Sequence, residues 1–368
     1  MRLLHTSDWH LGQRFFGRSL RSDQEYVLDQ MFHLVRDLNP DVMVIAGDVF
    51  HHRQPGEEAL ELFHHSLNRF LNLGTTLIFL AGPSDDFRPL HLDGRWVKEA
   101  GIHLIDDVTQ VLSPMSFSGA RDNFEVKTWC LPYPRGGTSI SGAPEHPALV
   151  GHRLVEKVVQ RLDPGEINVF VGYAWAQDGG RVPEFGPLIQ PGGQPLEKRL
   201  LEFFDVAALG GRHQPLRLGT LNAYYSGSLL CYEAEAQERG RSVTVYEITG
   251  KNQVYIDHYP LRPRRNLKVL EGSWEELMDQ GSQLRTDDLV VLRSEEKNLS
   301  PEQRADLRIL SPNVVSVELP SPFAAAEEEE PEAISALIRD YQEYCREVGK
   351  FELDQECMDL LRELDESL

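Results

Sequence analysis

Leu3-Leu4-His5-Thr6-Ser7-Asp8-Trp9-His10-Leu11-Gly12 decides how this chain is read. A short apolar run stops at an Asp and a His two positions apart. Side chains on a strand repeat every second residue, so Asp8 and His10 leave its end on the same side. A carboxylate and an imidazole placed that way suit a transition-metal ion. Taken alone, the pair also fits polar residues entering a turn.

Two further stretches repeat the design. Asp41-Val42-Met43-Val44-Ile45-Ala46 is apolar and β-prone, and it ends in Gly47-Asp48-Val49-Phe50. Gly47 lets the backbone turn where the strand stops, and Asp48 follows at the tip. Far downstream, Val206-Ala207-Ala208-Leu209 ends in Gly210-Gly211-Arg212-His213. Asp8, His10, Asp48 and His213 thus all sit just past the ends of apolar runs, where α/β architectures place their ligands.

Read together, Thr-Ser-Asp-Trp-His-Leu-Gly, Gly-Asp-Val-Phe, Ala-Leu-Gly-x-x-His-x-Pro and Tyr225-Ser226-Gly227-Ser228 resemble the calcineurin-type metallophosphoesterases. More narrowly they resemble the SbcD family, the nuclease subunits of SbcC–SbcD DNA-repair complexes. The resemblance covers about residues 1–260 in ordered motifs and the remainder more weakly. It implies an α/β fold: a metallophosphoesterase β-sandwich flanked by helices, a small α/β capping domain and a C-terminal helical tail. It implies one metal held by Asp8, His10, Asp48 and His213, and a second that shares Asp48.

The departures fall on that second metal. The family's third motif reads Gly-Asn-His-Asp; here it is Gly82-Pro83-Ser84-Asp85, so the metal-binding Asn is Pro83 and the catalytic His is Ser84. The fourth motif's His is Tyr173, and the first His of the fifth is Gly211. Pro and Gly bring no side-chain donor atom, and neutral Tyr is a poor ligand. A two-metal phosphoesterase holds ions ~3.5–4 Å apart to align the attacking and leaving oxygens. A general acid–base residue adds ~10²–10⁴-fold. The expectation is one Mn²⁺ site (Mg²⁺, Fe or Zn being alternatives) with nuclease activity weak or lost. His51, His52 and Asp85, with Asp178 further on, are candidate replacement ligands for an active Mn-dependent exonuclease or endonuclease. A one-metal phosphoesterase on another substrate is the third reading.

Composition bounds the rest. The chain has 368 residues, with no apolar run long enough for a membrane span. Met1-Arg2 leads directly into the first strand, without a signal or transit peptide pattern. Four cysteines, widely spaced, fit reduced thiols in a cytoplasm. The net charge of −21 argues against a generic nucleic-acid coat. Glu327 to Leu368 carries 15 acidic and 4 basic residues, a net −11, which leaves −10 for the remainder. DNA contact would need a local patch, with Arg14, Arg18 and Arg262-Pro263-Arg264-Arg265 as candidates.

The pattern predicts helices over Gln24–Leu38, capped by Ser22 or Asp23, and over Glu57–Leu71, with a strand at Thr75–Leu80. Val108–Met115 reads as a strand. The Gly/Pro-rich 177–196 reads as a surface loop, or as a mobile one over the site. We divide the chain into a metallophosphoesterase domain (1–250), a capping domain (251–319), an acidic linker (320–332) and C-terminal helices (333–368). By resemblance, the last dock onto an SbcC-like ATPase, and family members dimerise near their first motifs. The apolar face of Gln24–Leu38 suits either a homodimer or the chain's own core.

Overall fold

The computed structural model describes residues 1–319 except 91, 93–94, 120–122, 135–146, 178–195, 233–239, 284–286, 297 and 311–312. Residues 178–195 of the predicted 177–196 loop, with Asp178, lie outside the described residues, as do the acidic linker and the C-terminal helices. Gln177 and Leu196 at the ends of that loop belong to the paired strands Ala176–Gln177 and Leu196–Glu197.

Met1–Lys268 with Asp287–Leu289 form one compact unit. It is built on two six-stranded sheets. In the first, Arg2–Thr6, Val42–Ala46, Thr76–Leu80 and Ile102–Ile105 run parallel. Arg241–Gly250 joins antiparallel to Arg2–Thr6, and Gln253–Leu261 closes the edge. In the second, Val126–Leu131, Ile167–Tyr173, Val206–Gly210 and Ala223–Tyr225 run parallel between antiparallel edges Met115–Phe117 and Leu216–Arg217.

The strands are apolar at almost every position because both faces of each sheet are covered. Alternate residues Val42, Val44, Ala46, Ile78 and Leu80 of the first sheet meet Val126, Cys130, Val169, Val171 and Val206 of the second. The opposite face of the second sheet (Trp129, Leu131, Phe170, Leu209) buries the helix Pro147–Val159 through Val150, Leu154, Val155 and Val158. The other face of the first sheet carries Phe79, which meets Trp9 and the helical Phe63. This is the expected mixed α/β sandwich with flanking helices.

Several local expectations change. The first helix spans Arg21–Leu38 and starts after Leu20 without a side-chain cap. Neither expected cap serves: Ser22 accepts from Arg264 at 3.0 Å, and Asp23 accepts the Arg265 guanidinium at 2.8 and 2.6 Å. Val27, Leu28, Met31 and Val35 on that helix are at most 3% exposed, so its apolar face is spent on the chain's own core. Val108–Leu112 is a 3-10 turn, because Asp107 and Gln110 form a capping box that outcompetes a strand.

The domain boundary also moves. The sequence pattern places Gln253–Leu261 in the capping domain, but its nine residues pair with Arg241–Gly250, so the first unit runs on to Lys268 rather than stopping at 250. The second unit, Val269–Thr286 with residues 290 onward, holds most of a three-stranded sheet (Leu267–Gly272, Leu289–Ser294 and Val314–Glu318) and the helices Trp274–Ser282 and Pro301–Ile309. Both helices begin with capping boxes, Ser273/Glu276 and Ser300/Gln303. Leu277, Val290, Leu292, Leu299 and Leu307 form its core. Among the described residues no helix is long and apolar enough to cross a membrane.

Candidate metal centre

The parallel strands of both sheets end on one side, and the predicted residues lie there. Thr6 pairs with Ile45, Ala46 with Leu80, and Gly210 with Tyr173, so the strand ends are level within each sheet. A Cβ on Gly210 would stand 1.6 Å from the Ala46 carbonyl oxygen, so only glycine lets the two sheets approach here.

The loops leaving these strands are strained. Asp8 (φ 50°), His10 (φ 46°) and Asp48 (φ 46°) have left-handed backbones, three of six such non-glycine residues among those described. Each conformation costs ~1–2 kcal/mol. Hydrogen bonds between the loops hold it: Asp8 N–H to Gly47 C=O at 3.0 Å, His10 N–H to Asp48 C=O at 2.9 Å and Leu11 N–H to Val49 C=O at 2.9 Å. Strain that clusters on chemistry-bearing residues is a mark of a functional site.

Asp8, His10 and His213 each bring one ligand atom within 4.8 Å of the others. The Nε2 atoms of His10 and His213 face each other at 2.9 Å. Ser7 Oγ donates to Asp8 at 2.6 Å, and Gly211 N–H donates to both its oxygens at 3.2 Å. The His213 carbonyl accepts from Ser228 N–H at 2.9 Å and from Arg241 Nη1 at 2.6 Å, which fixes its loop. The sequence pattern passes over Gln24 and Tyr232. Gln24 Nε2 donates to the His10 carbonyl at 2.7 Å, and Tyr232 O–H donates to the Trp9 carbonyl at 2.6 Å. The only signal for Gln24 is a polar residue on an apolar helix face.

Asp48 stands apart from that trio. Tyr173 O–H donates to its Oδ2 at 2.5 Å. Its Oδ1 accepts the Ser84 hydroxyl and, at 3.1 Å, the Ser84 N–H. The Tyr173 ring lies over Gly47, where a Cβ would come within 2.0 Å of it. A Cβ on Gly82 would likewise meet Asp48 Oδ1 at 2.4 Å. Two positions that differ from the family pattern, Ser84 and Tyr173, therefore supply the hydrogen bonds that satisfy Asp48. Pro83 supplies none in this contact.

The candidate replacement ligands divide. Asp85 is fully buried, and its oxygens accept Phe50 N–H at 2.9 Å and Gly82 N–H at 2.8 Å. It ties two loops together, and that engagement argues against a ligand role. His51 is half-buried with its ring 5.7 Å from that of His10, and His52 is exposed beside it. Of the basic candidates, Arg14 is spent on the Gly17 carbonyl, Arg264 on Ser22 and Arg265 on Asp23.

Burial sets the electrostatics. It pushes the Asp8 carboxyl up to about 7, against the pull of His213, with Asp48 adding to the rise. It raises Asp48 too, partly offset by the Ser84 and Tyr173 donors. His10 is held well below the ordinary imidazole range by burial and then by His213. Tyr173 is raised well above the phenol range by burial and by the Asp48 charge, so it keeps its proton and donates. A carboxyl and two imidazoles converging at one place are a fitting donor set for a divalent transition metal.

A model of the calcineurin-like phosphoesterase family matches residues 1–211. The chain belongs to that family. The SbcD subunit of the nuclease SbcCD from Staphylococcus saprophyticus is 28% identical over 282 residues, 76% of this chain and 74% of that one. Among solved structures, a Danio rerio dimetal phosphatase is 10% identical over 72% of this chain and 97% of that one, with a TM-score of 0.45. A Thermus thermophilus protein is 12% identical over 70% of this chain and 98% of that one, with a TM-score of 0.40. The family binds divalent metal, and the Asp8, His10 and His213 cluster is where this member can do so.

Proposed function

We propose that this chain is an SbcD-like subunit of a DNA double-strand-break end-processing complex, with one metal and with phosphodiesterase activity weak or lost. The observation that carries this reading is the closed state of Asp48. Its oxygens are taken by Tyr173 and Ser84, at positions where the family supplies a metal ligand and a catalytic His.

Asp8, His10 and His213 hold a single divalent cation in this reading, Mn²⁺ first, with Asp48 at its side. A cation bound there supplies Lewis-acid polarisation of a phosphoryl oxygen. Arg241 and Ser228 keep the His213 loop in place, and Gln24 and Tyr232 hold the Asp8–His10 loop. Residues 269–319 act as the capping module. The stretch 333–368 binds an SbcC-like ATPase, and the complex engages DNA. A homodimer would use a surface other than the buried Val27, Leu28, Met31 and Val35 face.

Calorimetric titration with Mn²⁺ tests the site: one ion per chain is expected, and two tight sites would defeat the reading. Plasmid linearisation and 3′-end digestion with Mn²⁺, with and without the ATPase, test the activity. Robust cleavage abolished by Asp48→Ala would favour a working nuclease. Among the described residues, the position of His51 beside His10 is the feature that favours that reading, as a replacement ligand.

A further inference from the structure

Beside Arg241 lies a cavity of about 130 Å³, lined also by Asp23, Cys231, Arg265, Asn266 and apolar side chains. It is roughly ten times the ~10–15 Å³ that one water needs. Its charged lining residues among those described are Asp23, Arg241 and Arg265. Exposed Gly240 and Asn266 mark where it meets the surface.

The two arginines differ in one respect. Arg265 presents its Nε and Nη2 as a side-on fork, and the Asp23 carboxylate fills it at 2.8 and 2.6 Å. Arg241 is 5% exposed, and the same two atoms, Nε and Nη2, are buried without a hydrogen-bond partner among the described residues. Its remaining nitrogen, Nη1, donates to the His213 carbonyl at 2.6 Å. A buried guanidinium edge left unpaired is strongly unfavourable, and native structures rarely leave one so. With Asp23 neutralising Arg265, the positive charge of Arg241 is the surplus among the described residues that line this cavity.

We propose that the cavity is an oxyanion site, and that the Arg241 fork takes a phosphate group there. A guanidinium fork matches two oxygens of a phosphate or carboxylate in parallel. The volume accommodates a tetrahedral phosphate. Because Nη1 of the same guanidinium anchors His213, an anion held by Arg241 bears on the loop that carries a metal-centre residue. The proposal stands on the cavity and the unfilled fork, and it does not depend on how many metals the neighbouring centre holds.

The test uses the full chain in EDTA, titrated with sodium phosphate at constant ionic strength. Binding is read by calorimetry and by the unfolding temperature. Saturable binding of one phosphate per chain is expected. Arg241→Lys keeps a charge but removes the fork, and it should weaken that binding by at least ~10-fold. His10→Ala alters the metal centre and should leave it intact. A parallel titration with a deoxynucleoside 5′-monophosphate assigns the source: tighter binding than phosphate supports the site as one for a nucleotide's phosphate, equal or weaker binding supports it as one for the free ion. No saturable phosphate binding by the parent chain would overturn the proposal, whatever the variants do. So would binding that survives Arg241→Lys unchanged or disappears in His10→Ala.

Discussion

Tyr173→Phe removes one oxygen atom from the core of this site and changes almost nothing else. The side chain is 3% exposed, and the ring stays wedged over Gly47, so no cavity opens. What is lost is the 2.5 Å donation to Asp48 Oδ2. A hydrogen bond to a charged group contributes ~1.5–3 kcal/mol, and the loss leaves a buried carboxylate oxygen unsatisfied. The expected destabilisation is therefore about 2 kcal/mol in EDTA. With a urea m-value near ~3 kcal/mol/M, the midpoint falls by about 0.5–1 M. Buried Trp9, packed against Phe70 and Phe79, reports the transition by fluorescence. The same substitution frees Asp48 Oδ2 for a cation, so Mn²⁺ should restore more stability to the variant than to the parent. Ser84→Ala removes a second donor from the same carboxylate, and the two changes should be non-additive by ~0.5 kcal/mol or more. A midpoint unchanged by Tyr173→Phe, with no added response to Mn²⁺, would refute the idea that this hydroxyl stands in for a metal.

Substituting Asp8→Asn, His10→Ala or His213→Ala should each weaken Mn²⁺ binding by more than ~100-fold, since even outer-shell partners of metal ligands are worth ~10–100-fold; calorimetry reads this directly. Restoring the family pattern with Pro83→Asn, Ser84→His, Tyr173→His and Gly211→His should add a second ion to the titration. It should also lower stability, because Gly211 sits at φ 97° and a β-carbon there costs ~1–2 kcal/mol. Acid should destabilise the fold through His5, which burial lowers from 6.5 to about 3. The unfolded chain takes up the proton first, so stability is full above about 6.5 and falls as pH drops toward 3, by at most about 5 kcal/mol. His5→Phe should flatten the urea midpoint between pH 7 and pH 4.

The placement of the site is legible in the sequence because it depends on strand ends, and strand ends follow from apolar runs stopped by Gly, Asp and His. Asp8, His10 and His213 converge as their positions require. Other features depend on side-chain direction, which a sequence does not give. By motif Asp48 is a ligand of both metals, yet its carboxylate turns to Tyr173 and Ser84. By position Asp85 is a spare ligand, yet it binds the backbone of two loops. The boundary at 250 fails for a similar reason. Gln253–Leu261 reads as a strand, but which neighbour an edge strand pairs with is a long-range property, and here the partner is Arg241–Gly250 of the first unit.

The changes around Asp48 share one chemistry. A buried carboxylate can be satisfied by a cation or by donated protons, and either offsets its desolvation. Where the resemblance implies ligands for a second ion, this chain places Tyr173 O–H and Ser84 O–H beside Asp48. Mere loss of ligands would have left the buried Asp48 carboxylate without these two side-chain donors. Replacement by donors leaves a site that is stable without the second ion, and a cation seeking that place must first displace a Tyr173 proton donor held by burial far above its ordinary range. In the one-metal reading proposed above, that competition adds to the absence of ligands in raising the threshold for a second metal.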